Sequence, residues 1–123
     1  MIQVAMESKT RKKISAYFYR SVSGNEPLRD WLLSLPKEDR SVIGQGIKLV
    51  EYGWPIGMPV CRSMGDGLWE VRTTLSGGRI ARVIFCFHDD RLVLLHGFIK
   101  KSQKTPKPDL ELGKKRQREV EHG

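Results

Sequence analysis

Residues 68–99 decide the fold: LWEVRTT (Leu68–Thr74), SGG (Ser76–Gly78), RIARVIFCF (Arg79–Phe87), DD (Asp89–Asp90) and RLVLLHGFI (Arg91–Ile99). In the first of these, Trp69, Val71 and Thr73 fall on one side of an extended chain and Glu70, Arg72 and Thr74 on the other. Ser76-Gly77-Gly78 is a hairpin signal, and the β-branched and aromatic residues that follow suit a strand. Asp89-Asp90 turns the chain again. Three strands joined by tight turns predict an antiparallel meander.

Upstream, GWPIGMPVCRSMGDG (Gly53–Gly67) carries two prolines and four glycines and reads as a loop. Before it lie two helical patterns. Leu28, Trp31, Leu32 and Leu35 have helical spacing behind Asn25, a candidate N-cap, and Pro27 in the first turn. Pro36 ends that helix and opens a second, which buries Val42, Ile43, Ile47 and Val50 and stops near Gly53. Gly44 and Gly46 either weaken this helix or let a neighbour approach closely. ISAYFYR (Ile14–Arg20) reads as a strand. Downstream, Thr105 as N-cap and Pro106 as the first helical residue predict a last helix to about Val120. The fold class is α+β: an antiparallel sheet, made of the N-terminal strand and the meander, with two N-terminal helices and a C-terminal helix. The helices are expected on one sheet face, leaving the other as a working surface.

At 123 residues, 39% hydrophobic and 29% charged, the chain suits one globular domain over 14–123 behind a flexible basic leader, 1–13. No apolar run approaches the roughly 20 residues of a membrane span, and the leader lacks the apolar stretch of a secretory signal. Two cysteines, Cys61 and Cys86, build no disulfide framework, so a cytoplasmic location is expected. Net charge is +8 and concentrated at the ends. Residues 1–13 hold four basic residues against one acidic, and residues 100–123 hold eight against four. Such an excess suits a polyanion, an acidic protein, or simple solvation.

No zinc spacing, phosphate-binding glycine loop or nucleophile elbow is present, and no metal or cofactor is expected. His96, inside a strand, reads as structural, and both cysteines as inert packing. The informative constellation is basic. Glu70 and Arg72 share a strand face, Arg79 and Arg82 lie on the next strand, and the third strand runs into Lys100, Lys101 and Lys104. Arg82, inside I-A-R-V-I-F, is costly to bury unless paired or facing water. Either it meets Glu70 across the hairpin, or the cluster grips a phosphodiester. Guanidinium forks bind phosphate and stabilise the charge of its transition state. If RNA is the substrate, its 2′-hydroxyl can attack without a metal, with Glu70 taking the proton or orienting the arginines. Trp54 and Trp69 are candidate base-stacking residues, core packing being the alternative for Trp69.

GDGLWEVR (Gly65–Arg72), GRIARVIF (Gly78–Phe85) and HGFIKKSQKTP (His96–Pro106), in this order of elements, resemble the RelE/HigB-like toxins, and most closely their phage-derived branch. The resemblance covers about residues 14–120. It implies the toxin of a type II toxin–antitoxin module, a metal-independent endoribonuclease that cuts mRNA in the ribosomal A site. Arg72 and Arg82 match the superfamily's basic strand positions, and Lys100, Lys101 and Lys104 its basic post-strand segment. Glu70 falls at a position that varies among relatives. With Lys100 as the fourth catalytic candidate beside Glu70, Arg72 and Arg82, the RNA- or ribosome-binding candidates are Arg79, Lys101, Lys104, Lys114, Lys115, Arg116 and Arg118. The resemblance also implies a cognate helix-turn-helix antitoxin of the HigA type, with DNA contacted only through it. Two other functions remain open on the same fold: a ParE-like inhibitor of DNA gyrase, and an inactive prophage-derived binding module.

Overall fold

The computed structural model describes residues 12–58, 60–100 and 104–123. Lys101 and most of the expected leader lie outside the described residues. The elements run β1 (Ser15–Phe18), α1 (Pro27–Ser34), α2 (Lys37–Gly53), β2 (Cys61–Gly65), β3 (Leu68–Thr74), a short turn of 3-10 helix (Ser76–Gly78), β4 (Ile80–His88), β5 (Arg91–Lys100) and α3 (Lys107–His122). One five-stranded sheet is ordered β1-β5-β4-β3-β2.

The meander forms as the alternation predicts, with Arg72 opposite Arg82 and Ile84 opposite His96. Three expectations need correction. The sheet is mixed, because β1 pairs with β5 in parallel. The reading of Gly53–Gly67 as a loop misses β2, which pairs antiparallel with β3 and places Arg62 opposite Glu70. The helices also do not share one face. The α1–α2 hairpin covers the side bearing Val71, Val83, Phe85 and Leu94, whereas α3 lies on the side bearing Leu68, Ile84 and Phe98.

Burial on both faces explains the sequence of β4. Ala81 through Cys86 are all buried, so beyond Arg82 the strand shows an apolar run, Val83–Cys86, instead of alternation. On the α1–α2 side, Trp54 meets Trp69 edge-on at 5.0 Å and also contacts Phe85 and Phe87. Both tryptophans therefore serve packing. Close approach on this side relies on two glycines: a Cβ at Gly46 would lie 2.3 Å from Thr73 Oγ1, and one at Gly97 2.4 Å from the Trp31 ring.

The helix starts differ in detail from the sequence expectation. Glu26, not Asn25, occupies the N-cap of α1 without a side-chain cap bond. α3 begins at Lys107 behind Pro106, and Thr105 does not cap it. α3 packs Leu110 and Val120, both half-buried, against the sheet. Its buried positions are Gly113, pressed against Ile84, and Gln117, whose amide donates to the Asp66 carbonyl at 2.7 Å.

Candidate nucleic-acid interface

Strand register brings Arg62, Glu70, Arg72, Arg82 and Lys100 to the α3 side of the sheet, near the end where α3 begins. Glu70 and Arg82 form the floor. Their side chains are 1% and 0% exposed, and Arg82 Nε lies 3.6 Å from Glu70 Oε1. The Thr105 hydroxyl donates to Glu70 Oε2, and Arg82 Nη1 donates to the Lys104 carbonyl at 3.3 Å. A carboxylate and a guanidinium buried together exchange hydration for each other and for these two bonds. Thr105, expected as a helix cap, is thus diverted to the ion pair.

Electrostatically the floor is crowded with positive charge. Burial pushes the Arg82 guanidinium below its ordinary value; Glu70 opposes that shift, while Arg72 and Arg62 add to it. Arg62 and Arg72 thus add positive charge beside the one carboxylate that Arg82 pairs with. Arg72 is half-buried, Arg62, Lys100 and Lys104 are exposed, and an open depression of about 320 Å³ is lined by Val60, Arg72, Thr74 and Ile80. The floor holds the Lys104 carbonyl and the Thr105 hydroxyl, so a buried ion pair anchors the chain just ahead of α3.

The sequence-derived residues thus separate into groups. Arg72 lines the depression, Lys100 pairs across the strands with Ile80 at its edge, and Lys104 is held through its carbonyl by Arg82. Glu70 and Arg82 form the cross-hairpin pair, sealed from solvent. Arg79 is on the opposite side of the sheet. Its Nη1 and Nη2 meet Asp39 Oδ2 and Oδ1 at 2.9 and 3.0 Å, and its Nε donates to the Ser76 carbonyl. This fork holds the Asp39 carboxyl below its usual range. Arg116 donates to the Leu95 carbonyl at 2.8 Å and lies over the Tyr19 ring, so it serves the α3 contact. Lys115 and Arg118 are exposed on α3 and Lys114 is half-buried. Arg118 turns away from the Arg116 side, as the 100° step between helical residues requires. Lys101 lies outside the described residues.

Two participants escape sequence reasoning. Arg62 looks like a loop residue because β2 has no alternation, and Thr105 looks like a cap because it precedes Pro106. The other titratable groups behave structurally. His96 Nε2 lies 2.7 Å from Asp109 Oδ1, tying β5 to α3. Cys61 and Cys86 are buried thiols, each pushed up to about 11, mainly by desolvation. Tyr19 donates its hydroxyl to Glu119, and burial raises its pKa.

The model of the family described as phage-derived protein Gp49-like (DUF891) matches residues 30–118, from α1 through most of α3. A comparison with curated proteins finds no match. The matched span contains the whole meander, the Glu70–Arg82 pair and Arg62, Arg72, Lys100 and Lys104, and the chain belongs to the Gp49-like family of phage-derived proteins, a toxin-like family of the general RelE/HigB type.

Proposed function

We propose that this protein is the toxin of a type II toxin–antitoxin module, of the HigB-like kind, and acts as a ribosome-dependent mRNA endoribonuclease. The observation that carries the reading is Arg72 in an open depression, with Arg62 and Lys100 exposed on the same side of the sheet and Lys104 held by the buried Glu70–Arg82 pair. The family membership is compatible with it. In this mechanism the exposed cations hold the phosphates flanking the scissile bond and neutralise the charge that builds on phosphorus. The RNA 2′-hydroxyl gives its proton to water and attacks the adjacent phosphorus, and the 5′-oxygen of the next nucleotide leaves and takes a proton from water, giving a cyclic phosphate end. Glu70 and Arg82 act as positioning residues, holding Lys104 and Thr105 beside Arg72. Ribosome dependence follows if the A site supplies the RNA geometry that this open surface does not impose. The proposed partners are the ribosome with its mRNA and an acidic or amphipathic antitoxin that offsets the +8 charge.

Mapping mRNA ends by primer extension in a reconstituted translation reaction, with and without ribosomes, tests the proposal. Breaks within the A-site codon only when ribosomes are present are the expected result. Breaks without ribosomes would make it a free ribonuclease. Growth arrest with no RNA breaks and blocked supercoiling would replace the proposal with gyrase inhibition.

A further inference from the structure

The chain that leads into α3 is fastened to the sheet at two points. At the first, the Thr105 hydroxyl donates to Glu70 Oε2 and the Lys104 carbonyl accepts from Arg82 Nη1 at 3.3 Å. At the second, Asp109 Oδ1, in the first turn of α3, lies 2.7 Å from His96 Nε2 of β5. Glu70, Ile84 and His96 stand in one line across β3, β4 and β5. The two anchors are thus two strand spacings apart, about 10 Å. Both are sheltered: the Glu70 side chain is 1% exposed, and those of His96 and Asp109 17% and 18%. The imidazole also stacks on Phe98, the residue opposite Arg82.

Three residues lie between Thr105 and Asp109, and two of them are prolines, Pro106 and Pro108. A proline ring fixes φ, so this bridge has few conformations to choose from once its ends are held. The third residue is Lys107. It is exposed, and among the described residues it makes no ion pair. The chain keeps its Cα within about 7 Å of that of Thr105. Attachment of α3 does not depend on this end alone, because Arg116 holds the Leu95 carbonyl, Gln117 the Asp66 carbonyl, and Glu119 the Tyr19 hydroxyl. What the paired anchors add is a fixed place for the one side chain between two prolines.

We infer that Lys107 is a phosphate-binding residue, and that His96 and Asp109 are positioning residues that hold it at the end of the sheet where Arg72 and Lys100 stand. The ligand is the backbone of single-stranded RNA, so the inference rests on the nuclease reading and adds one phosphate contact to it. A cation on a bridge already held loses less freedom on binding than one on a loose segment.

The test is fluorescence anisotropy of the full chain with a short single-stranded RNA whose riboses are 2′-O-methylated, so that binding is read without cleavage, over a range of salt concentrations. Lys107→Ala is expected to reduce the slope of log affinity against log salt by about 0.7, the share of one phosphate contact on a single strand. Asp109→Ala separates positioning from simple charge. It removes a negative charge, so net charge alone would tighten RNA binding. The inference predicts the reverse: binding weaker by about threefold or more at low salt, with the same loss of slope. Asp109→Asn removes the same charge but keeps an oxygen to accept from the imidazole, and is expected to bind at least as tightly as wild type. Urea unfolding curves show which variants are folded, and the exposed Lys107→Ala keeps the test open if Asp109→Ala is not. The inference is overturned by a folded Asp109→Ala protein that binds as tightly as wild type or tighter, by an unchanged slope in Lys107→Ala, or by a wild type that does not bind the RNA. The nuclease reading fails on a different result, wild type that does not cut mRNA on ribosomes, whatever these affinities are.

Discussion

The two arginines of β4 and its preceding turn lie three residues apart and have opposite fates. Arg79, at the α1–α2 side, sits at the sheet margin and forks onto Asp39, with one third of its side chain still in water. Arg82, on the α3 side, is sealed with Glu70 against Lys104 and Thr105. The first pair lies at the surface and is screened by solvent. The second has no hydration to fall back on, so removing one partner strands a buried charge. Sequence proximity says nothing of this difference. It comes from which strand face is covered, and by what.

The largest expected effect breaks the buried pair. Arg82→Ala or Glu70→Ala alone is expected to cost about 3–5 kcal/mol in urea unfolding. Replacing both, as Glu70→Leu with Arg82→Met, is expected to recover most of that loss, because apolar residues of similar size remove both charges together. A double variant as unstable as either single one would mean that the pair contributes net stability. This asymmetry also matters for activity: an inactive Arg82→Ala protein reports unfolding before it reports chemistry.

Next come the close approaches that hold the α1–α2 side to the sheet. Gly97→Ala, which drives a methyl into Trp31 and Leu28, is expected to destabilise by about 1–3 kcal/mol in the same assay. Asp39→Asn is expected to lower Tm less than either single loss of the buried pair. Its effect also has a definite pH dependence. The Asp39 carboxyl is depressed below its ordinary 3.8 in the fold, so its contribution is present above that value and is lost as pH falls through the lower folded value. Melting curves for wild type and Asp39→Asn should therefore converge in acid. The buried thiols act at the other end of the scale. Cys61 and Cys86 ionise at about 11 in the fold against an ordinary 9.0, so stability holds below pH 9 and falls from there toward pH 11. At pH 8 neither thiol should react with a thiol reagent unless denaturant is present. The smallest expected stability effect is at the exposed cations: Lys100→Ala should stay within about 0.5 kcal/mol of wild type.

The meander and the two N-terminal helices are legible because their periods of two and 3.6 are undisturbed from Leu68 and from Leu28. The Glu70–Arg82 pairing is legible as one of two alternatives, since register puts both on one face. Other features leave no such trace. CRSMG of β2 has neither alternation nor branched residues, and Gly65 and Gly67 close around it. The parallel partnership of β1 with β5 is a matter of topology that no local pattern encodes. α3 hides its inward face because Gly113 and Gln117, a gap and an amide, interrupt the apolar stripe between Leu110 and Val120. With the stripe broken the α3 side looks open, and Arg82 looks accessible. The run Val83–Cys86 of β4 carries the opposite message: a stretch with no polar alternation is covered on both faces.

The central claim is that the exposed cations on the α3 side of the sheet do the RNA chemistry while the buried pair only anchors the chain beside them. Ribosome-dependent mRNA cleavage by Arg72→Ala and Lys100→Ala, each shown folded by its unfolding curve, tests this most directly when compared with the folded Glu70→Leu/Arg82→Met double variant. The account predicts that each surface substitution lowers the cleavage rate at least about tenfold, and that the double variant keeps more activity than either. Surface variants that cut mRNA at the wild-type rate, beside an inactive but stable double variant, would contradict it.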